Sequence, residues 1–405
     1  MRIVHKYGGT SVGSLDRIRA TAKLIQADLA RGNEIAVVVS AMSGETNRLI
    51  AMANDIDGEA PAREMDALVS TGEQVSAALL AMELNRLGIV AYSYSGSQAG
   101  FRTDSSHARA RITGVQSEHL IRHMDVGEVP VVTGFQGSDE HGNITTLGRG
   151  GSDTSAVALA IAVKADICDI YTDVNGIYTT DPRIVPQAAK LQEISYEEML
   201  EFASLGAKVL QTRSVELAMR FNMPIHLRSS FEDMTGTIVN GEDTGMERAE
   251  ITGVAYHRDE AKVTIQGIPD QPGIAARIFG PVADAGINVD VIVQNVSEQG
   301  FTDMTFTVPR NDYATTMVLL QGLCSEMKAE KVKGDDTVAK VSIIGVGMRS
   351  HAGVACKMFD VLSHENINIQ MITTSEIKIT VVLEEKYIEL AVRALHSAFG
   401  LDADA

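Results

Sequence analysis

Two glycine-rich stretches carry residue types suited to holding an anion: Lys6-Tyr7-Gly8-Gly9-Thr10-Ser11 and Gly148-Arg149-Gly150-Gly151-Ser152-Asp153. Each follows an apolar, strand-like run and precedes a helical pattern, an arrangement that delivers exposed backbone N–H groups to a phosphate. In the first, Gly8 and Gly9 lack the Cβ atoms that would hold a phosphate oxygen off the backbone, and Lys6 adds a charge beside them. In the second, Arg149 offers a planar fork for a carboxylate or phosphate, and Ser152 is placed to cap a helix beginning near Asp153. Neither stretch matches GxxxxGK[ST] or GxGxxG, which excludes a P-loop and a dinucleotide fingerprint. Either alone reads equally well as a tight turn with a C-cap glycine. Together they point to function.

The elements that must position these loops follow from the apolar spacing. Arg2 to His5 is a short strand, and Leu15, Ile18, Ala22, Ile25 and Leu29 then recur at helical steps, with Gly32 as C-cap. Ile35 to Val39 is a β-branched run expected to be buried on both faces. Strand, helix, strand implies a parallel sheet with right-handed crossovers, whose functional loops lie beyond the carboxyl ends of the strands. One such loop is Ser40 to Asn47, where Ser43 is expected to cap the following helix and Thr46 is the better ligand candidate. A long helical pattern from Pro61 to Leu87 is interrupted at Ser70-Thr71-Gly72-Glu73. There Glu73 reads as a helix N-cap group or as the partner of an ammonium.

Ile89 to Tyr94, Val129 to Thr133 and Ile167 to Thr172 are further strands, and Thr154 to Lys164 is an apolar, buried helix. Thr172 and Asp173 are placed to bind a nucleoside and Arg183 to reach its phosphates, unless the segment is only an exposed loop around Asp181-Pro182. Lys208 stands in the first turn of a helix beginning at Gly206, against the dipole, a conflict that an anionic ligand resolves. Pro224 to Arg228 reads as the last strand of this domain.

With 35 basic and 53 acidic residues among 405, the net charge is −18. That disfavours a nucleic-acid or membrane-surface partner and requires any positive field to be local. The length implies two or three domains. Cys168, Cys324 and Cys356 form no CxxC pair, and His5, His141, His226 and His351 show no ligand spacing, so a reducing, cytoplasmic setting without a protein metal site is expected. No signal-peptide pattern or membrane-length apolar run is present.

Asn240 to Arg248 reads as a linker, beyond which the chain repeats itself. Ala261-Lys262-Val263 returns as Ala339-Lys340-Val341, Gly273-Ile274-Ala275 as Gly353-Val354-Ala355, and Ile287-Asn288-Val289 as Ile367-Asn368-Ile369. Each unit reads as a ferredoxin-like βαββαβ module, with Pro281 expected to kink or shorten the first helix of the first.

Taken in order, the two glycine stretches, Tyr171-Thr172-Asp173 through Thr180-Asp181-Pro182-Arg183, and Gly206-Ala207-Lys208-Val209-Leu210 resemble the aspartate kinase motifs, and the repeats resemble a tandem pair of ACT domains. The resemblance implies an α/β amino acid kinase sandwich with a mainly parallel sheet over residues 1–245, then ACT domains over 250–334 and 335–405. It implies phosphoryl transfer from ATP with Mg²⁺ to the β-carboxylate of L-aspartate, the first step of lysine, threonine and methionine biosynthesis. It places Lys6, Tyr7, Gly8, Gly9, Thr172, Asp173, Tyr178, Arg183, Lys208 and Val209 on ATP. It places Ser40, Thr46, Glu73, Arg149, Gly150, Gly151 and Ser152 on aspartate, with Lys6, Glu73, Asp153 and Lys208 as the catalytic set. Asp270, Gly273, Ile274, Ala275, Gln294, Asn368 and Ile369 would bind lysine or threonine as feedback effectors. A homodimer or higher assembly through the ACT domains is expected, and no dehydrogenase domain behind them. A nucleotide-binding amino-acid sensor without turnover, or a kinase for another acidic amino acid, is the alternative.

Overall fold

A buried β-branched strand flanked by strand and helix on either side is the seed of the first unit. The computed structural model describes residues 1–205, 209–241, 251–296, 300–346, 348 and 353–402. They divide into two compact units, Met1–Ile177 with Lys190–Gly245, and Tyr178–Ala189 with Met246–Ala405. Among the described residues no helix is long and apolar enough to cross a membrane.

In the first unit, β1 (Arg2–Tyr7), α1 (Leu15–Ala30) and β2 (Glu34–Val39) follow the expected alternation. Ser14 caps α1 by accepting the Arg17 N–H, and α1 buries Ile18, Ala22 and Ile25. The chain continues through α2 (Glu45–Ile56), α3 (Ala62–Val69), α4 (Thr71–Arg86), β3 (Ala91–Tyr94), β4 (Phe101–Thr103), β5 (Ile112–Val115) and α5 (Glu118–Asp125). Next come β6 (Val129–Thr133), β7 (Gln136–Ser138), β8 (Ile144–Thr146), α6 (Gly151–Ala162) and β9 (Ile167–Thr172). The unit closes with β10 (Glu193–Ser195), α7 (Tyr196–Ser204), α8 (Thr212–Phe221), β11 (Ile225–Ser229) and β12 (Thr237–Asn240).

The main sheet runs β10-β12-β11-β9-β1-β2-β6-β3, and β5-β4-β7-β8 form a small second sheet. Only β11 and β12 pair antiparallel in the main sheet. With β1 central, the loops leaving β1, β2 and β9 emerge side by side at one edge. The strand at Pro224 is not the last of this unit, because β12 turns back on it, and residues 242–248 of the expected linker lie outside the described residues.

In the second unit, β13 (Gly253–Pro269), α9 (Ile274–Asp284), β14 (Ile292–Val296), β15 (Phe301–Val308), α10 (Tyr313–Met327), β16 (Lys331–Ile344), α11 (Val354–His364), β17 (Met371–Thr374), β18 (Lys378–Glu384) and α12 (Ile388–Ala398) follow in order. One antiparallel sheet, β14-β15-β13-β16-β18-β17, holds both repeats. The repeats are not consecutive closed modules. The end of β13 pairs with β15, while its start, Gly253 to His257, pairs with Lys340 to Ile344 of β16, across register shifts between His257 and Lys262. Each long strand thus serves both repeats, and the fourth strand of the second comes from the start of β13 rather than from chain beyond α12. Pro281 shortens nothing: α9 and α11 each have 11 residues.

Residues 178–189 belong to this second core, so a first domain running unbroken over 1–245 is interrupted. Ile184, Val185 and Ala188 pack in one cluster with Val341, Val381 and Leu395. The Thr179 hydroxyl lies 2.8 Å from His396 Nε2 and accepts the Ala189 N–H, while His396 Nδ1 lies 3.2 Å from Asp402.

Burial holds the imidazoles of His5 and His396 below the ordinary histidine value of 6.5, although Asp169 and Asp28 pull His5 upward and Asp402 does so for His396. A depressed folded-state pKa means that protonation favours the unfolded chain. The contribution is therefore complete above 6.5 and lost as pH falls through and below it. Thermal unfolding midpoints are expected to drop between pH 7.5 and 5.5, and less steeply in His5→Gln and His396→Gln; equal slopes in variants and parent would exclude both histidines.

Candidate functional site

The loops at the carboxyl edge of β1 and β2, the start of α4 and the start of α6 enclose a cavity of about 250 Å³. It is lined by Lys6, Ser40, Ala41, Thr46, Glu73, Phe135, Gly148, Arg149, Gly150, Gly151, Ser152, Asp153 and Gln211. Every residue expected to hold the acceptor amino acid is in that set. A wider cavity of about 600 Å³ in the second unit has its charges already paired with one another, as in Arg258–Glu389 and Lys386–Glu384.

Lys6 is the last residue but one of β1, on the face opposite its neighbour Tyr7, and its Nζ lies 2.7 Å from Asp153 Oδ1. Both are nearly buried, at 9% and 7% exposure. Asp153 lies in the first turn of α6, so carboxylate, ammonium and helix N-terminus meet at one point. The Tyr7 ring is buried and stacked on Tyr171 at 4.6 Å, leaving only its backbone at the loop. The Gly8 N–H is taken by the Tyr171 carbonyl at 3.2 Å, so it locks β1 to β9 and is not a free anion donor. Gly9 is required by packing, since a Cβ there would stand 2.9 Å from the Ala41 carbonyl oxygen.

The helix at the second glycine stretch starts earlier than its side chains suggest. Gly150 is the N-cap, at φ 73°, and α6 begins at Gly151, which places Ser152 inside the first turn rather than at the cap. Ser43 likewise does not cap α2, where Gly44 in the left-handed region occupies that position. In both, a glycine with positive φ turns the chain more sharply than a serine cap would allow. A Cβ on Gly150 would stand 1.9 Å from Gln211 Cγ. Gly150→Ala is therefore expected to lower stability by about 1–2 kcal/mol and to raise the KM for the acceptor, as read from denaturant unfolding and initial rates.

Glu73 sits in the first turn of α4, but its Oε1 accepts the Ala41 N–H at 3.2 Å instead of capping its own helix. Its Oε2 is buried with no hydrogen-bond partner. Burial pushes the carboxyl up to about 7, against the pull of its own backbone N–H and that of Ala41. Arg149, exposed, forms no ion pair among the described residues. A buried carboxylate oxygen lacking a donor and a free guanidinium across one small cavity suit the ammonium and carboxylate of an amino acid.

Thr172 and exposed Asp173 stand at the carboxyl end of β9, where the Thr172 hydroxyl donates to Asp173 at 3.0 Å. Val209 is half-buried just before α8. Tyr178 and Arg183 belong to the second unit and are not among the residues lining the cavity. Tyr178 packs on the core of the second unit, and the Arg183 guanidinium forks onto Asp181 at 2.7 and 3.0 Å. Lys208, with Gly206 and Ala207, lies outside the described residues, as does His351. Phe135 and Gln211 went unrecognised in the sequence. Phe135 follows the strand end Val129–Thr133 by two residues and takes a positive φ of 69°, and Gln211 directly follows the Lys208-Val209-Leu210 motif.

In the second unit, Gly273 is the left-handed N-cap of α9, which Ile274 and Ala275 open. The Asp270 N–H binds the Gly300 carbonyl. Gln294 is exposed on β14, and Asn368 and Ile369 precede β17. β14 and β17 are opposite edges of one sheet, yet Val291 beside β14 and Met371 of β17 share one buried cluster with Val338 and Val382.

Residues 1–229 match the amino acid kinase family, and residues 263–323 and 341–399 each match an ACT domain. An aspartate kinase of Stutzerimonas stutzeri is 57% identical over 404 residues, spanning 100% of this chain and 98% of that protein. An aspartokinase of Pseudomonas aeruginosa is 56% identical over 405 residues, with the same coverage. The crystal structure of Escherichia coli aspartokinase III in complex with aspartate and ADP, called R-state, is similar with a TM-score of 0.81 at 28% identity, over 98% of this chain and 99% of that one. The same enzyme in complex with lysine and aspartate, called T-state, gives 0.76 at 28% identity, with the same coverage.

Proposed function

The chain belongs to the aspartate kinases, ATP-dependent phosphotransferases of the amino acid kinase family with a carboxyl group as acceptor, and from that membership we propose how its residues divide the reaction. The single observation that carries this reading is the cavity in which Glu73, with a buried unpartnered oxygen, faces the Arg149 loop and the Lys6–Asp153 pair. L-Aspartate lies with its ammonium on Glu73 and a carboxylate on Arg149, held further by Ser40, Thr46 and the Gly150-Gly151-Ser152 turn. ATP, taken as its Mg²⁺ complex, lies along the edge formed by Lys6, Gly8, Gly9, Thr172 and Asp173, and Lys208 and Val209 are assigned to it as well. The metal neutralises phosphate charge and belongs to the substrate.

The β-carboxylate is ionised at neutral pH, so no general base is needed. One of its oxygens forms the bond to the γ-phosphorus, the bond from that phosphorus to the bridging oxygen of ADP breaks, and 4-phospho-L-aspartate and ADP result. The obstacle is bringing anions together, which positioning and local cations solve.

The first unit is assigned the chemistry and the second the sensing of pathway end products, lysine, threonine or both. Effector sites completed by a second copy of the chain, hence a homodimer or higher assembly, are part of this reading. Three unpaired cysteines and the use of ATP support a cytoplasmic setting. Aspartate-dependent ADP release, compared with glutamate and N-acetylglutamate as acceptors and then with lysine and threonine added singly and together, tests the reading. Turnover with no acceptor would leave only a nucleotide-binding sensor. Gln294→Ala is expected to weaken end-product inhibition by about tenfold, the effect of losing one well-placed polar contact; unchanged inhibition would move the pocket elsewhere.

A further inference from the structure

A second carboxylate in the first unit, outside the cavity lining, accepts more hydrogen bonds than the Glu73 and Asp153 carboxylates that line it. Asp66 of α3 is 1% exposed. It accepts the Ala108 N–H at 3.0 and 3.1 Å, the Thr146 N–H at 3.1 Å, the Thr146 hydroxyl at 2.5 Å and His107 Nδ1 at 2.8 Å. Thr146 ends β8, two residues before Gly148, and a Cβ on Gly148 would stand 2.9 Å from the Ala108 carbonyl oxygen. From the other side, Arg213 of α8 donates to the carbonyls of Leu147 and Ala110 at 2.8 and 2.7 Å. The base of the Arg149 loop is therefore clamped, and one jaw is on the helix that leads into Ser70 and Glu73.

We propose that Asp66 is a positioning residue that sets the span between the Glu73 carboxylate, on the acceptor's ammonium, and the Arg149 guanidinium, on the acceptor's side-chain carboxylate, and so selects aspartate over acids one methylene longer. The inference rests on the reading of Glu73 and Arg149 as the acceptor's ligands. Four donors converging on two oxygens demand a carboxylate. An amide would offer one acceptor and turn its own N–H groups toward donors, opening the clamp. A displacement of about 1 Å at a reacting group costs on the order of a hundredfold in rate, and one methylene is worth about 10–200-fold in discrimination.

Asp66→Asn is expected to raise the aspartate KM by about tenfold or more, to leave the ATP KM within about twofold, and to narrow the preference for aspartate over glutamate by about tenfold. Thr146→Val, which removes a single donor, should give the same pattern in smaller measure and decides the matter if Asp66→Asn fails to fold. Leu120→Ala, a buried change in α5, serves as a destabilised control whose KM ratio and acceptor preference should stay at the parent values. If Asp66→Asn or Thr146→Val shifts both KM values alike, or neither, or leaves the acceptor preference intact, Asp66 is merely structural. Glu73→Gln, run alongside, separates the two failures: an unchanged aspartate KM there overturns the reading of the cavity and this inference with it. A raised KM there with no effect at Asp66 overturns only the inference.

Discussion

Replacing Lys6 with alanine is expected to lower kcat by about a hundredfold or more, the loss that follows removal of one preorganised charge-stabilising group. Lys6 is nearly buried and borders the same cavity as Glu73 and Arg149, so its charge acts where water screens little. It also neutralises Asp153 at 2.7 Å. The alanine variant therefore loses a cation and leaves a nearly buried carboxylate that repels incoming phosphates. The pair is accordingly non-additive: Lys6→Ala with Asp153→Asn should turn over faster than Lys6→Ala alone, although both changes touch the site. Single-turnover rates at saturating ATP and aspartate measure this. A Lys6→Ala enzyme at full rate would remove Lys6 from the mechanism, and a double variant no faster than the single would show that Asp153 does not act through Lys6.

What could be read in the chain, and what could not, divides by the range of the interactions involved. Ile35 to Val39 announces a strand buried on both faces, and the α1 periodicity its inward face, because both signals lie within a few residues. The cavity lining was legible for the same reason, as Thr46, Glu73 and Arg149 each punctuate the end of a strand or the start of a helix. Helix starts at Gly44 and Gly150 were misread because serine is the better cap by propensity, while the close approach of Gln211 to Gly150 is a contact between residues 61 apart in sequence (211 − 150). The exchange of strand ends between the repeats rests on pairing of Gly253 with Ile344, which no local pattern encodes. Ile184, Val185 and Ala188 are too short and too irregular a run to reveal that they belong to the second core. The Arg183 guanidinium pairs with its neighbour Asp181, a contact that turn chemistry alone does not announce.

The pH dependence of acceptor binding should follow Glu73. Its carboxyl, pushed up to about 7 by burial, is largely protonated in the free protein below neutrality, and its Oε2 has no donor to stabilise charge. An ammonium placed there supplies that donor and favours ionisation, so binding aspartate releases a proton whenever the pH lies below about 7. The apparent affinity for aspartate must then rise with pH up to about 7 and level off above it. Stability runs the other way. Because the folded-state value lies above the ordinary 4.5, the contribution of Glu73 to stability is complete below 4.5 and is lost as pH rises through about 7. Glu73→Gln, uncharged throughout, should therefore match or exceed the parent in unfolding midpoint above pH 7 without aspartate. It should also raise the aspartate KM by about a hundredfold, the consequence of breaking a buried charge pair. Its kcat/KM for aspartate should lose the rise between pH 6 and 8. If the parent shows no such rise, or the glutamine variant keeps it, Glu73 does not hold the ammonium, and the acceptor must lie in the cavity with its charges reversed.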